Sequence, residues 1–205
     1  KDASVNGGSL GCTTAGGFIG MIGFNTQFQK EAKFIDCNYE NLTVRALIMA
    51  GGFAGYSAAT KVTVSNTKDV ELTDGDIRTT APFCMKVEDS RQDAGGLFGH
   101  IHRYNDSTGT LEINPEGNAV MTLRNLKVTG TVTEANDTTV GGLVGYESVA
   151  KGETVIVKGV RLEGKVELIG GESANAKTNV GGLFGFLSDA KANQWQNLPD
   201  TAYHL

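Results

Sequence analysis

Four stretches of the chain alternate apolar and polar side chains in the way that β-strands do. They are rich in valine, threonine and leucine, and in the last of them Val160 and Leu162 alternate with Arg161 and Glu163. Successive side chains of a strand point to opposite faces, so one face of each stretch would be buried and the other solvated. The pattern predicts half-buried strands over 35–44, 61–72, 121–132 and 154–168. Helical periodicity is nearly absent, and the glycine-free stretch 25–33 is the best helix candidate.

A glycine motif, GG-x-x-G, returns five times among these stretches, at intervals of roughly 35 to 46 residues. Each motif is preceded by alanine or valine and followed by a residue that is aromatic in most copies: Met21, Tyr56, His100, Tyr146, Phe186. Equivalent side chains in register are typical of stacked coils, where each packs on its counterpart one repeat away. Glycine is required where backbones approach too closely for a Cβ atom. The motif glycines, which we expect to be structural, are Gly16, Gly17, Gly20, Gly51, Gly52, Gly55, Gly95, Gly96, Gly99, Gly141, Gly142, Gly145, Gly181, Gly182 and Gly185.

Repeated strands with almost no helix predict an all-β repeat solenoid, and a right-handed parallel β-helix is the favoured architecture. Two coils of roughly 20 residues per repeat would give about nine coils and a length of about 45 Å. A five-bladed β-propeller is the alternative, because five repeats of this size also suit that fold. Which of the two apolar residues inside each motif faces the core is left open by the pattern.

Repeats cover residues 15–188, with an irregular insertion near 73–93. Residues 1–14 are expected to be an N-terminal edge or linker, and residues 189–205 a C-terminal cap or linker. Because the chain begins with lysine and shows no signal peptide, we expect a processed or trimmed chain.

The repeated GG-L/F-x-G followed by an aromatic residue, together with strands such as Ile35, Asp36, Cys37 and the run 125–130, resembles the GLUG repeat of bacterial surface and secreted proteins. The first two motifs depart from it because they lack the leucine. The resemblance implies an extracellular, non-catalytic module of a larger polypeptide, located at the cell surface. It implies neighbouring domains of the same polypeptide as partners, and a host protein or glycan as the ligand of an adhesion surface. It carries no catalytic residues onto this chain.

Charge narrows the classes of partner. The formal net charge is −5, which argues against nucleic acid and anionic membrane as partners. No run of eighteen apolar residues is present, so no membrane insertion is expected. Three cysteines, Cys12, Cys37 and Cys84, cannot all pair within one chain, and buried small side chains are the simplest reading of them.

Candidate binding residues concentrate at the irregular stretch and just after it. Acidic, basic and imidazole side chains occur there together: Asp74, Asp76, Arg78, Asp93, His100, His102, Arg103. His100 and His102 would share one face of a strand, and with Asp106 or Glu112 a zinc site is conceivable, although stacking in the aromatic column explains His100 without a metal. The acidic loops could hold calcium but lack the known calcium-loop spacings, so no cofactor is assigned. No catalytic constellation is evident; the alternative to a non-catalytic module is a polysaccharide lyase or glycosidase on a β-helix, supported by fold analogy alone.

Overall fold

A computed structural model describes residues 3–6, 13–23, 31–80, 92–102, 109–131, 137–147, 154–171 and 177–187. All regular structure in these ranges is β-strand, as the alternating pattern predicts. The strands, numbered along the chain, are β1 Ala3–Asn6, β2 Thr14–Gly16, β3 Ile19–Ile22, β4 Glu31–Ile35, β5 Leu42–Ala46, β6 Met49–Gly51, β7 Ala54–Ser57, β8 Lys61–Ser65, β9 Val70–Thr73, β10 Asp76–Thr79, β11 Gln92–Gly95, β12 Phe98–Ile101, β13 Thr110–Ile113, β14 Met121–Arg124, β15 Lys127–Thr129, β16 Thr138–Gly141, β17 Val144–Glu147, β18 Thr154–Val157, β19 Val160–Glu163, β20 Glu167–Ile169, β21 Thr178–Gly181 and β22 Phe184–Leu187.

The strands form five parallel sheets, and each sheet receives one strand from each successive turn of the chain. We call them sheet A (β1, β5, β10, β15, β20), sheet B (β2, β6, β11, β16, β21), sheet C (β3, β7, β12, β17, β22), sheet D (β4, β8, β13, β18) and sheet E (β9, β14, β19). Among the described strands, sequence neighbours do not pair with each other, and every strand pairs with its counterpart one turn away. The fold is therefore a parallel β-helix. The propeller alternative is wrong, because its blades are built from antiparallel neighbours. The right-handed sense stays a prediction.

One glycine motif corresponds to one coil, so the expectation of two coils per repeat is wrong. A full coil contributes a strand to sheets A, B, C, D and E in that order, and then returns to sheet A. The described residues form five such levels instead of about nine. At a spacing of about 4.8 Å between strands, sheets A, B and C extend over about 19 Å.

The long strand stretches expected from the sequence are each broken into two or three strands by turns. At the turn before sheet A the chain passes through a residue with positive φ in each of four coils: Asn41 (51°), Asp74 (53°), Asn125 (55°) and Gly164 (69°). Asparagine, aspartate and glycine tolerate this conformation best. These turns also bond to each other, since Nδ2 of Asn125 donates to Oδ1 of Asp74 (3.1 Å) and Oδ1 of Asn125 accepts from the Lys165 amide (3.1 Å).

The core runs along the inside of the sheets. Its centre is aromatic: the ring of Phe53 lies 5.3 Å from that of Phe34 and 6.2 Å from that of Phe98, measured between centroids. Both apolar residues of the motif are buried in the three inner coils, where Leu143 and Val144, for example, each have 0% exposure, whereas Phe18 and Ile19 of the first motif are exposed. The alternation of buried and exposed side chains fails at the motif because the chain bends there between sheets B and C.

The motif glycines let successive coils touch backbone to backbone. A Cβ atom placed on Gly52, Gly96 or Gly142 would lie less than 3.0 Å from the carbonyl oxygen of the equivalent glycine one coil later. At Gly182, in the last coil, no described atom lies within 4 Å of that position. Gly52, Gly96 and Gly142 are thus required by the stacking of coils, whereas among the described residues nothing requires Gly182 to be glycine.

The structure corrects two predictions about irregular segments, the helix over 25–33 and the insertion near 73–93. Residues 31–33, the end of the proposed helix, lie in β4, while residues 24–30 lie outside the described residues. The first part of the proposed insertion is regular: β9 ends at Thr73 and β10 pairs with both β5 and β15. Residues 81–91 and 188–205 lie outside the described residues, as do Cys12 and Cys84. Part of the proposed N-terminal edge, β1, pairs with β5 as a regular strand.

Candidate functional site

Asp76 and Arg78 lie on β10 and point to the outer face of sheet A, since Ile77 between them is fully buried. Nη2 of Arg78 donates to Oδ2 of Asp76 at 2.6 Å. Asp74 precedes this strand at the positive-φ turn, where it accepts a hydrogen bond from Asn125. Asp74 therefore has a structural role in the turn, whereas Asp76 and Arg78 form an ion pair on an open sheet face.

The predicted aromatic column is present on sheet C. Tyr56, His100 and Tyr146 are consecutive partners in register, and Phe186 follows Tyr146. Their ring centroids are 5.5, 4.7 and 5.1 Å apart in that order. The Tyr146 and Phe186 rings are stacked with planes 3° apart, and the Tyr56–His100 and His100–Tyr146 pairs are tilted by 35° and 36°. The faces of the inner rings, His100 and Tyr146, are therefore covered by neighbouring rings. The column therefore holds coils together instead of offering flat platforms to a ligand.

Asp93 and His100 form a buried polar pair that joins sheets B and C. Nδ1 of His100 lies 2.6 Å from Oδ2 of Asp93, whose side chain is fully buried. The hydroxyl of Thr139, one coil later in register with Asp93, donates to Oδ1 of the same carboxylate. Nε2 of His100 is buried and has no hydrogen-bond partner among the described residues. Each carboxylate oxygen of Asp93 is thus occupied, and the pair fixes the orientation of the imidazole.

His102 follows β12 and stays near this pair, with its ring centroid 5.6 Å from that of His100. Arg103 and Asp106 lie outside the described residues. Glu112 is not beside the histidines: it lies on sheet D, where its Oε2 is 2.9 Å from Nζ of Lys61. In the described part of the chain no three His, Cys, Asp or Glu residues group as a metal site would require.

The structure brings the predicted residues together in two places instead of one inserted loop. Asp76 and Arg78 share sheet A, while Asp93, His100 and His102 lie around sheets B and C of the same coil. The expectation that an insertion carries Asp74 to Asp93 is wrong for 74–80 and for Asp93, because these residues belong to regular coils.

Several polar residues at or near these places give no signal in the sequence. Arg45 lies next to Arg78 in register on sheet A, and Thr139 completes the Asp93 pair. Tyr39 is buried and its hydroxyl donates to the carbonyl oxygen of Gly96 at 3.3 Å; burial raises the pKa of Tyr39 well above its usual value. Glu147 is fully buried at the end of β17. Each of these contacts joins residues tens of positions apart, so only the coil register could have found them.

Cys37 is a free, half-buried thiol just after β4. Burial raises the pKa of this thiol, which lowers its reactivity at neutral pH.

Comparison with protein-family models, with curated proteins and with solved structures gave no match. Over the ranges that the structure describes, no helix is long and apolar enough to cross a membrane. The resemblance to the GLUG repeat therefore stays a prediction from the motif residues.

Proposed function

We propose that the chain is a non-catalytic, extracellular repeat module of a larger bacterial surface protein, serving as a stalk and as an adhesion surface for a host protein or glycan. The observation that carries the proposal is the way coils are joined. Successive coils are joined by backbone contacts at the motif glycines and by three to five ladders of strand pairing, and from the second coil onward the aromatic column joins them as well. Such an array transmits force and displays outer faces, and its length grows with the number of repeats.

The candidate binding residues predicted from the sequence are Asp74, Asp76, Arg78, Asp93, His100, His102 and Arg103. Of these, Asp76 and Arg78 lie on an open sheet face and suit contact with a ligand best, whereas Asp93 and His100 are buried. Arg103 lies outside the described residues. The partners of the module would be a host protein or glycan, and the module would adjoin other domains of the same polypeptide. Neither nucleic acid nor a membrane fits the net charge of −5.

The test is to measure binding and turnover together. The purified chain is exposed to immobilised extracellular-matrix proteins and to an array of glycans, and the same preparation is incubated with acidic and neutral polysaccharides while reducing ends and unsaturated products are measured. The proposal predicts saturable binding without product. Product formation would contradict it.

A carbohydrate-active enzyme is the second candidate, favoured by the Asp93–His100 pair with its buried, unpartnered Nε2 among aromatic rings. A carboxylate that orients a histidine is a common arrangement for general base catalysis. If product appears in the polysaccharide assay, His100→Gln should abolish it while Arg161→Gln, on sheet E, leaves it unchanged. Product that persists in His100→Gln would exclude this site as its source.

A further inference from the structure

The outer faces of sheets D and E balance their charges. On sheet D, Nζ of Lys33 lies 3.1 Å from Oε2 of Glu31, and Lys61 is paired with Glu112. On sheet E, the guanidinium of Arg124 lies 3.4 Å from Glu71 and 2.9 Å from Glu163, and that of Arg161 lies 4.0 Å from Glu163. Each cation named here has a carboxylate within ion-pair distance, so these two faces need no further anion.

The outer face of sheet A differs. Arg45 on β5 and Arg78 on β10 are partners in register, which places their backbones about 4.8 Å apart with both side chains on the same face. Like charges directly opposite each other on neighbouring strands are destabilising unless an anion lies between them. Asp76 pairs with Arg78, but Arg45 has no ion-pair partner among the described residues. The Nε atoms of both arginines are buried without a hydrogen-bond partner.

A third cation extends this pair along the solenoid. Lys127 on β15 is the register partner of Asp76, so Arg45, Arg78 and Lys127 occupy three consecutive coils of sheet A. Glu167, the next register partner of Lys127, forms its ion pair with Lys165 at 3.0 Å, and Lys165, through its hydrogen bond and its charge, lowers the pKa of Glu167 more than the charge of Lys127 does. Two hydroxyl side chains lie beside these charges: Thr43 pairs with Asp76, and Thr129 pairs with Arg78. Arg45 and Arg78 are therefore about 4.8 Å apart, whereas Lys127 lies diagonal to Arg78, one coil later, at about 7–8 Å.

We propose that this face of sheet A binds an acidic glycan, with a carboxylate or sulfate group held between Arg45 and Arg78. A guanidinium binds such oxyanions through two parallel N–H···O bonds, and Asp76 orients the fork of Arg78. An extended polyanion can contact the two arginines and also reach Lys127, diagonal to Arg78 on the next coil, which a single small ion cannot do. The hydroxyls of Thr43 and Thr129 match the hydroxyl groups of a sugar. The inference rests on the proposed adhesion function and names the ligand class for it.

Short oligogalacturonate and a chondroitin sulfate oligosaccharide are the probes, because they carry the carboxylate and the sulfate respectively. A neutral oligosaccharide and inorganic sulfate serve as controls. Titration is followed by NMR of the arginine Nε–Hε signals, which report directly on Arg45 and Arg78. We expect saturable shifts of both signals with at least one acidic oligosaccharide, and no shift with the neutral one. Raising the salt concentration should weaken binding.

The matched variants are Arg45→Gln and Arg161→Gln. Arg45→Gln should weaken binding about tenfold or more, because one charged hydrogen-bond donor is lost, while Arg161→Gln on the balanced face should change it by about twofold at most. Arg45→Lys keeps the charge without the fork, should bind with intermediate affinity, and serves in place of Arg45→Gln if that variant does not fold.

Three results would overturn the inference: no shift at Arg45 and Arg78 with either oligosaccharide, wild-type affinity in Arg45→Gln, or binding of inorganic sulfate as tight as that of the oligosaccharides. Failure of this site is distinguishable from failure of the proposed function. Retained binding to matrix proteins or other glycans with no arginine shifts refutes only the site, whereas degradation of the oligosaccharides refutes the non-catalytic function and leaves the site standing.

Discussion

Replacing a motif glycine by alanine should lower the stability of the fold where another coil packs on that glycine. The same replacement should leave the stability unchanged or slightly higher where no described coil follows. Gly142 and Gly182 make a matched pair, because they occupy the same motif position in consecutive coils. A Cβ atom on Gly142 would lie less than 3.0 Å from the carbonyl oxygen of Gly182 and 3.0 Å from Cδ1 of Leu162. A Cβ atom on Gly182 would meet no described atom within 4 Å. Neither glycine has a positive φ, so strain from backbone conformation does not enter the comparison.

The change in the free energy of unfolding depends on which atoms must move to make room for the alanine methyl group. At Gly142 the obstructing atom belongs to the backbone of a paired strand, so the coils must separate locally. Overpacking of this kind lowers the free energy of unfolding by about 3 kcal/mol. At Gly182 alanine reduces the freedom of the unfolded chain without a clash, which stabilises by about 0.5 kcal/mol. In a chain of this size the difference corresponds to a separation in Tm of about 7–14 °C.

Thermal unfolding followed by circular dichroism measures both variants against the wild type. We expect Gly142→Ala to unfold at clearly lower temperature and Gly182→Ala to unfold at or slightly above the wild-type temperature. Values of Tm for the two variants within about 2 °C of each other would refute the argument that coils touch through this glycine.

Three further outcomes are expected. Tyr146→Ala should lower the free energy of unfolding by about 2–3 kcal/mol in denaturant titration, because its ring stacks on both neighbours of the aromatic column, and unchanged stability would mean that the stacking is not formed. Asp93→Ala should cost about 3 kcal/mol in the same assay because it leaves the buried His100 imidazole without its acceptor, and a loss under about 1 kcal/mol would contradict the pair. Hydrogen bonds from the hydroxyl and amide of Thr67 lower the pKa of Asp36, so Asp36 stabilises the fold at neutral pH and this contribution is lost as the pH falls through its folded-state pKa. In a carboxyl-carbon NMR titration Thr67→Val should raise the pKa of Asp36 toward its ordinary value, and an identical pKa in both proteins would contradict this cause.

The sequence predicts the solenoid and its repeating contacts because those depend on the period of the motif. The position after each closing glycine identifies the column of Tyr56, His100, Tyr146 and Phe186, since residues at equal positions in stacked coils must meet. Coil length is not predicted correctly. Three of the stretches that the sequence presents as continuous strands are divided by turns at Asn41, Asn125 and Gly164, and a single Asn or Gly inside a Val/Thr-rich stretch is a weak signal.

The candidate sites are harder to predict from the sequence than the fold is. Asp93 and His100 lie seven residues apart on different sheets, and they meet because the glycine bend brings sheets B and C together. Arg45 and Arg78 meet because one coil separates them, a relation that the incorrect coil length conceals. Once the length of a coil is known, aligning the coils would find both arginines from the sequence.

The central claim is that one glycine motif makes one coil, with each motif hydrogen-bonded to the next. Scalar couplings through hydrogen bonds, measured by NMR between an amide nitrogen and a carbonyl carbon in the deuterated protein, test it directly. The account predicts couplings from the amide of Phe53 to the carbonyl of Leu97, from Leu97 to Leu143 and from Leu143 to Leu183, whose nitrogen–oxygen distances are 2.8, 2.8 and 2.9 Å. Couplings that instead join these amides to carbonyls roughly 20 residues away, as two coils per repeat would require, would contradict it.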